Sequence, residues 1–430
     1  APTVRYTNDT SGAILPGPND VTLGNPLYWS NLYVNNVNEQ RYTGGVGAEY
    51  TITSFLKLIA NANGYMIYNN DNKFTKSFLQ GNGGSMNTNR PASFSNYKEA
   101  QYTYNGFLQF NKNFSGHDVT LMTGAEFTDY RRFVYSGFGQ GAPTDVIPWL
   151  VAAQTPTVIN GALAYPGGAS SNFSRWERIS SAIGRLNYNY TDKYYLTAVA
   201  RLDGSSRLDK NNFYGFFPGV SVGWNLHNED FYRNSKLYKY VSTIKPRISY
   251  GVNGNLQNFG NDFYPTEQVY SNAGVYNGLG GVYAPSYINP DLRWERTNSV
   301  NVGADIGLLR NRITIIADYF VRNVYDKLAT LAISAQTGFT GYTTNLSQLQ
   351  NRGFELTMNS KVITPGERNG FSLDLGGSFY TVKSYAIKLP YNGLPGNRTG
   401  LNGYNPIEVW DPENPGKTKF VRAIIEGERI

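Results

Sequence analysis

Arg312-Ile313-Thr314-Ile315-Ile316-Ala317-Asp318-Tyr319-Phe320-Val321 carries the alternation on which the fold reading turns. Ile313, Ile315, Ala317, Tyr319 and Val321 fall on one side of an extended chain, and Arg312, Thr314 and Asp318 on the other. The pattern recurs. In 119–128, Val119, Leu121, Ala125 and Phe127 oppose Thr120, Gly124, Glu126 and Thr128. In 299–306, Val300, Val302, Ala304 and Ile306 oppose Asn301 and Asp305; in 371–380, Phe371, Leu373, Leu375 and Phe379 oppose Ser372, Asp374 and Ser378. A period of two also suits a sheet half-buried in a protein surrounded by water. Two features favour a bilayer instead. Charges stand in mid-strand on the polar side, as a wet lumen permits, and aromatics gather near strand ends, where interfacial girdles sit. These aromatics are Tyr188, Tyr190, Tyr194, Tyr195, Trp224, Trp294 and Tyr319.

Working outward, the reading gives strands at 41–50, 55–68, 97–111, 119–135, 174–190, 194–203, 214–225, 244–254, 294–307, 312–325, 351–363 and 371–384. Most are long enough to cross a membrane at a tilt. Short polar turns near 51–54, 115–118, 191–193 and 308–311 alternate with long segments near 69–96, 136–172, 255–291 and 326–350. Antiparallel membrane barrels place tight turns on the inner side and long loops outside. One connection departs from this rule: Asn228-Glu229-Asp230 followed by Leu237, Tyr240, Val241 and Ile244 predicts a short helix near 228–243 on the inner rim. Residues 385–430, with Pro390, Pro395, Pro406, Pro412 and Pro415, read as an external loop without a strand.

Composition supports a sheet-forming chain. Among 430 residues, charged ones make up 16%, while Tyr supplies 34 and Gly 46, which suits pleated surfaces punctuated by turns. Aromatics at 15% are too many for a disordered polypeptide. The net charge of +7 is spread over single Lys and Arg residues rather than a basic run, so no nucleic-acid partner is expected. The absence of cysteine excludes a disulfide scaffold and thiolate metal sites. No apolar run reaches the length of a transmembrane helix. The opening Ala1-Pro2-Thr3-Val4-Arg5 lacks a signal-peptide pattern, and Gly427-Glu428-Arg429-Ile430 lies in or just after a loop, so the chain reads as an internal piece of a longer barrel.

Catalytic motifs are lacking. His117 and His227 fall in different inner turns with no partner at metal-binding spacing. Gly416-Lys417-Thr418 has Asp411 where a phosphate loop needs its leading glycine, and no helix follows Gly81-Asn82-Gly83-Gly84. No nucleophile elbow occurs, and no catalytic residue, cofactor or metal is expected. The loops hold more promise. Trp29, Trp149, Tyr165, Tyr283 and Tyr287 lie in the external segments beside amides and carboxylates, a mixture suited to stacking on sugar rings. Trp149, Tyr165, Tyr283 and Tyr287 are therefore the candidate contacts with a substrate or partner; loop packing is the competing reading.

Several strings together resemble the SusC/RagA family of TonB-dependent outer-membrane transporters. They are Arg201-Leu202-Asp203-Gly204-Ser205-Ser206-Arg207, then Phe217-Pro218-Gly219-Val220-Ser221-Val222-Gly223-Trp224 followed by Glu229 and Phe231. Lys245-Pro246-Arg247-Ile248-Ser249-Tyr250-Gly251 and Gly254-Asn255 come next, and then Asn289-Pro290-Asp291-Leu292-Arg293-Trp294-Glu295-Arg296-Thr297. Asn301-Val302-Gly303, Asn351-Arg352-Gly353-Phe354-Glu355 and Ile425-Glu426-Gly427 complete the set. The likeness covers 175–430 well and 1–174 only by pattern.

The resemblance implies an all-β, transmembrane antiparallel barrel, of which this chain supplies about 12 of roughly 22 strands, the plug not being in this chain. It further implies an active importer of glycans or peptides in the outer membrane. Such an importer works with a SusD-like surface lipoprotein and draws energy from TonB-ExbB-ExbD through the plug region. On this reading residues 1–430 form one barrel fragment, no covalent chemistry is done, and Glu126, Arg201, Asp305 and Asp318 face plug or water. The alternatives are a passive porin or secretion or surface-attachment barrel, and a soluble carbohydrate-binding β-protein.

Overall fold

A computed structural model describes residue 14 and residues 25–80, 85–153, 158–159, 162–163, 169–260, 262–276, 279–363, 370–391, 397–400, 407–411, 418–421 and 423–430. Twelve strands form one sheet and follow each other in chain order. They are β1 Tyr33–Thr53, β2 Leu56–Thr75, β3 Ala92–Phe114, β4 His117–Gly139, β5 Ala169–Tyr190, β6 Tyr194–Ser205, β7 Tyr214–Trp224, β8 Val241–Asn255, β9 Glu295–Leu308, β10 Ile313–Ala332, β11 Gly341–Ile363 and β12 Leu373–Lys388. All twelve expected strands are present. β1 and β12 stand at the two ends of the order; nearly all residues of β1 and most of β12 are exposed.

Backbone contacts divide the chain into two compact units, one of residues 1–46, 62–103 and 128–177, the other of 47–61, 104–127 and 178–430. In the second unit, Leu196, Val222, Ile248, Val302, Tyr319 and Phe354 are successive register partners from β6 to β11. Partners in an antiparallel ladder share a face, so these residues make one continuous apolar belt. Val222, Ile248, Val302 and Tyr319 are about half exposed. No apolar layer covers them among the described residues. Ile313 and Ile315 are only partly covered, Leu375 is exposed, and none joins an apolar cluster. A soluble sheet would have to bury such a face; a bilayer supplies the missing layer.

The apolar clusters sit where the long connections leave the sheet. Leu208, Phe217, Leu256, Phe259, Leu292 and Trp294 form one in the second unit. In the first unit Phe74, Ala92 and Ala142 pack with Val34, Leu150 and Ala152. Trp294, expected in a girdle, is buried in this loop-end cluster because β9 begins at the next residue, directly beneath the 256–294 connection.

The tight turns fall where the sequence put them. Ser115 and Gly116 have φ of 50° and 78°, as a two-residue turn of right-handed strand twist needs. Between β9 and β10, Leu309, Arg310 and Asn311 are all left-handed, at 50°, 59° and 61°. Three consecutive side-chain-bearing residues in that region are costly, and β8 stabilises them. Ser242 Oγ and Thr243 Oγ1 donate to Asn311 Oδ1 at 3.1 and 2.9 Å, while Asn311 N donates to Ser242 Oγ at 3.0 Å.

The outer segments differ from expectation. β10 continues to Ala332 and β11 starts at Gly341, so the supposed loop 326–350 shrinks to 333–340. Register shifts between Val324 and Lys327 and between Lys327 and Ala329, with Asp326 left-handed at 55°, break the alternation there. Pairing continues; the period does not. Residues 69–96 likewise hold strand ends plus a Phe78–Leu79 pair with Met86–Asn87. Short pairs also occur at Val158–Ile159 with Ala162–Leu163 and at Ser271–Tyr276 with Leu279–Tyr283. The proline-rich tail is not strand-free: Arg398–Gly400 pairs with Ala423–Ile425, and Ile407–Trp410 with Thr418–Val421. The expected helix at 228–243 is three short turns, Leu226–Asn228, Asp230–Arg233 and Lys236–Lys239. Val241 already starts β8, where Ile244 pairs with Ile306.

The belt yields a prediction. Val302→Lys should lower the stability of the membrane-refolded native polypeptide by about 2–4 kcal/mol, the cost of a cation at mid-bilayer. Asn301→Lys, one residue along on the opposite face, should change it by less than about 1 kcal/mol in the same urea titration.

Candidate functional site

The face opposite the belt is polar. Thr197, Ser221, Ser249 and Asn301 are successive partners across β6 to β9, and the row continues through Phe320 and Gly353. One step nearer the tight turns run Gly223, Arg247, Gly303, Asp318 and Glu355. A depression of about 390 Å³ opens here, lined by Thr197, Ser221, Lys245, Arg247, Ser249 and Asn301 among others.

Ion pairs knit this face. Arg201 Nε donates to Asp203 at 2.6 and 2.8 Å, and its Nη2 reaches Glu126 at 3.2 Å and Ser181 at 3.0 Å. Arg247 joins Asp305 at 3.2 Å and Asp318 at 2.7 Å. A Cβ on Gly303 would collide with Asp318 Oδ1, so a larger residue there would push aside the carboxylate that Arg247 holds. Thus Glu126 and Arg201 meet in one group, and Asp305 and Asp318 in another. Partly exposed pairs of this kind contribute little stability; they order a wet surface and match strand to strand.

The strings of the 200s and 290s meet at the loop end. Arg207 is buried, donates to the Leu256 and Gly260 carbonyls at 3.2 and 3.0 Å, and lies over the Phe263 ring. Trp294 packs edge-on to Phe217 and donates to the Phe213 carbonyl. Glu295, 2% exposed, accepts from Leu328 N at 2.6 Å, Asn255 Nδ2 at 3.1 Å and Asn258 Nδ2. Asp326 grips Arg293 and Arg296 at 2.8 and 2.6 Å, and its carbonyl accepts from Asn345 Nδ2. Asp326 and Asn345 escaped the sequence reading because a bulge hides their pairing. These residues fasten the roots of the 256–294 connection.

Of the candidate contacts, Tyr283 and Tyr287 are both about half exposed in the second unit. Tyr287 stacks edgewise on Phe339 and Tyr342, with centroids 5.7 and 5.3 Å away. It borders a hollow of about 270 Å³ lined by Asn258, Asp262, Ser286, Asn289 and Thr343. Trp149 belongs to the first unit and is half exposed just before the Leu150–Ala152 turn. Tyr165 lies outside the described residues. Trp29 packs against Tyr28 and Phe78.

At the tight-turn end, aromatic rings follow one another along β3 to β7. Phe114 and His117 stack at 5.4 Å, His117 meets Tyr190 at 4.6 Å, and Tyr190, Tyr194 and Trp224 continue at 6.4 and 6.3 Å. Tyr194 and Trp224 share the parity of Leu196 and Val222, so this is the belt side. Glu229 closes the row: Tyr194 Oη donates to it at 2.6 Å, Lys193 Nζ at 3.0 Å and Trp224 Nε1 at 3.1 Å. These three donors hold its carboxyl at about 2, well below the ordinary 4.5. His117 Nδ1 contacts Tyr188 Oη, and His227 Nδ1 sits at the Ile244 backbone. Among the described residues no three His, Asp or Glu side chains gather as metal ligands.

A family profile described as "TonB dependent receptor-like, beta-barrel" matches residues 2–423. The chain belongs to that family. It is 30% identical over 329 residues to the TonB-dependent receptor SusC of Bacteroides thetaiotaomicron, a match covering 75% of this chain and 30% of SusC. It is 30% identical over 289 residues to TonB-dependent receptor P3 of Formosa agariphila, covering 66% of this chain and 27% of that receptor. The chain thus spans under a third of the length of these curated relatives. Among solved structures it is similar to that of the RagAB peptide transporter, with a TM-score of 0.77 at 18% identity over 97% of this chain and 45% of that one. Membership in a TonB-dependent receptor family places the belt in the outer membrane. The strings that carried the resemblance now have physical duties: Trp224 with Glu229 at one end of the strands, Arg207, Trp294 and Glu295 at the other.

Two outcomes follow. The Glu229 carboxyl is depressed in the folded state, so its stabilisation is full above about 4.5 and fades as pH falls toward about 2. The stability difference between the native protein and Glu229→Gln should therefore be largest near neutrality and close over that window, as read by Trp fluorescence melts. Glu295→Ala leaves three donors unmet. Chymotrypsin should then cut within 256–292 about tenfold faster, with strand content unchanged by circular dichroism.

Proposed function

We propose that this chain is the wall of an active outer-membrane importer, driven by TonB and specialised for glycans or peptides. The observation that supports this best is the two-sided sheet, an apolar belt backed by a charged polar face, in a chain of the TonB-dependent receptor family. Cargo crosses along the polar face without covalent change. The wall supplies hydroxyls, amides and fixed charges for transient contacts, and the exposed rings at the loop end supply apolar platforms.

A SusD-like surface lipoprotein is the partner at the loop end, in keeping with the likeness to SusC and to RagAB. The TonB-ExbB-ExbD machinery acts from the other side through a plug segment of the whole protein. Trp149, Tyr165, Tyr283 and Tyr287 are the residues assigned to cargo or lid contact. Tyr287 has the best-built surroundings of the four, because its neighbours Asn258, Asp262 and Asn289 offer donors and acceptors beside a ring.

Uptake of labelled oligosaccharides and peptides by cells carrying the native gene should stop when TonB is deleted. Uptake that persists without TonB would indicate a passive pore. With the cargo identified, Tyr287→Ala should weaken its binding about 3–10-fold, the loss of one stacking platform. Unchanged affinity, by calorimetry on the purified complex, would leave Tyr287 as loop packing.

A further inference from the structure

The segment between β7 and β8 does not hang below the polar face. Its anchor is Glu229, whose three donors include Tyr194 and Trp224, both on the belt side. Tyr232 is buried and donates to the Val241 carbonyl at 2.9 Å, fixing the second turn against the start of β8. What remains outside is amphipathic. Phe231, Leu237 and Tyr240 are 64%, 61% and 57% exposed, large values for residues held on a folded scaffold. Arg233, Lys236 and Lys239 stand among them and are exposed. None of the three has a carboxylate partner among the described residues; Arg233 donates to Asn228 and Lys239 lies 5.8 Å from the Tyr240 ring. Glu229 is already neutralised by Lys193, so the free balance is cationic apart from Asp230.

We propose that residues 226–240 are a membrane-surface anchor, binding anionic phospholipid headgroups of the inner leaflet through Arg233, Lys236 and Lys239. Phe231, Leu237 and Tyr240 enter the headgroup boundary beside them. Two observations select this occupant. The segment continues the aromatic row from Phe114 to Trp224, which marks the depth of the interface. Unpaired cations among exposed apolar side chains are what an anionic lipid surface attracts. The inference rests on the belt facing lipid, and it holds whatever the cargo.

The test uses the native polypeptide in nanodiscs of phosphatidylethanolamine and phosphatidylglycerol. The 430 residues contain no cysteine, so Phe231→Cys, Leu237→Cys and Tyr391→Cys can each carry an environment-sensitive dye, any cysteine elsewhere being changed to serine. Headgroup-level nitroxide lipids should quench the dyes at 231 and 237 at least about threefold more than the one at 391, and aqueous iodide should do the reverse. Equal iodide quenching at all three sites would overturn the proposal. So would shielding that develops only when periplasmic extract is added, which would assign the surface to a protein. Arg233→Ser, Lys236→Ser and Lys239→Ser together should cut co-purifying phosphatidylglycerol about threefold by native mass spectrometry. Unchanged lipid retention, with normal heat-modifiable migration proving the fold, would also overturn it. Neither readout depends on transport, so failure here and failure of the importer reading are separable.

Discussion

A peptide group in hydrocarbon has no water to bond, so every N–H and C=O at bilayer depth must find another strand. That demand explains why the sheet runs from β1 to β12 without interruption while the side chains vary freely around it. It also explains the division of labour between faces. Once pairing is compulsory, the register fixes which residues meet lipid and which meet water, and a slip of one residue would exchange them all. The Leu196-to-Phe354 belt and the Thr197-to-Asn301 row are two readings of the same ladder.

Among the described residues the apolar clusters sit at the ends. Because the bilayer takes the place of a second layer, both of these clusters gather beneath the outer connections. The polar braces there, Glu295 and Asp326, each join residues from well-separated parts of the chain. Glu229 does the same at the opposite end. Mid-strand carries the alternation and the ion pairs of the polar face, and the rims carry these braces.

The strands and tight turns were legible because alternation is local: each residue of 312–321 declares its face with no knowledge of its partner. Strand ends were less so. Beyond the belt, β10 and β11 stay paired through a bulge at Asp326, and no period survives to mark it. The helix expected at 228–243 was misjudged for a related reason, since Leu237, Tyr240 and Ile244 have helical spacing but Ile244 belongs to β8. The candidate site was legible only as composition. Loop aromatics could be named from their setting, but the neighbours of Tyr287, drawn from 258 to 343, are brought together by topology alone. Glu295 stood inside a recognised string without any sign that it was buried, because its donors come from β8, the residues after it, and β10.

The left-handed turn Leu309-Arg310-Asn311 ties together three strands rather than two. Here the bend depends on hydroxyls of Ser242 and Thr243, which lie on the preceding strand and far back in the chain. The bend between β9 and β10 is therefore a property of three strands, and a change at Ser242 or Thr243 is felt in a turn distant from them in the chain.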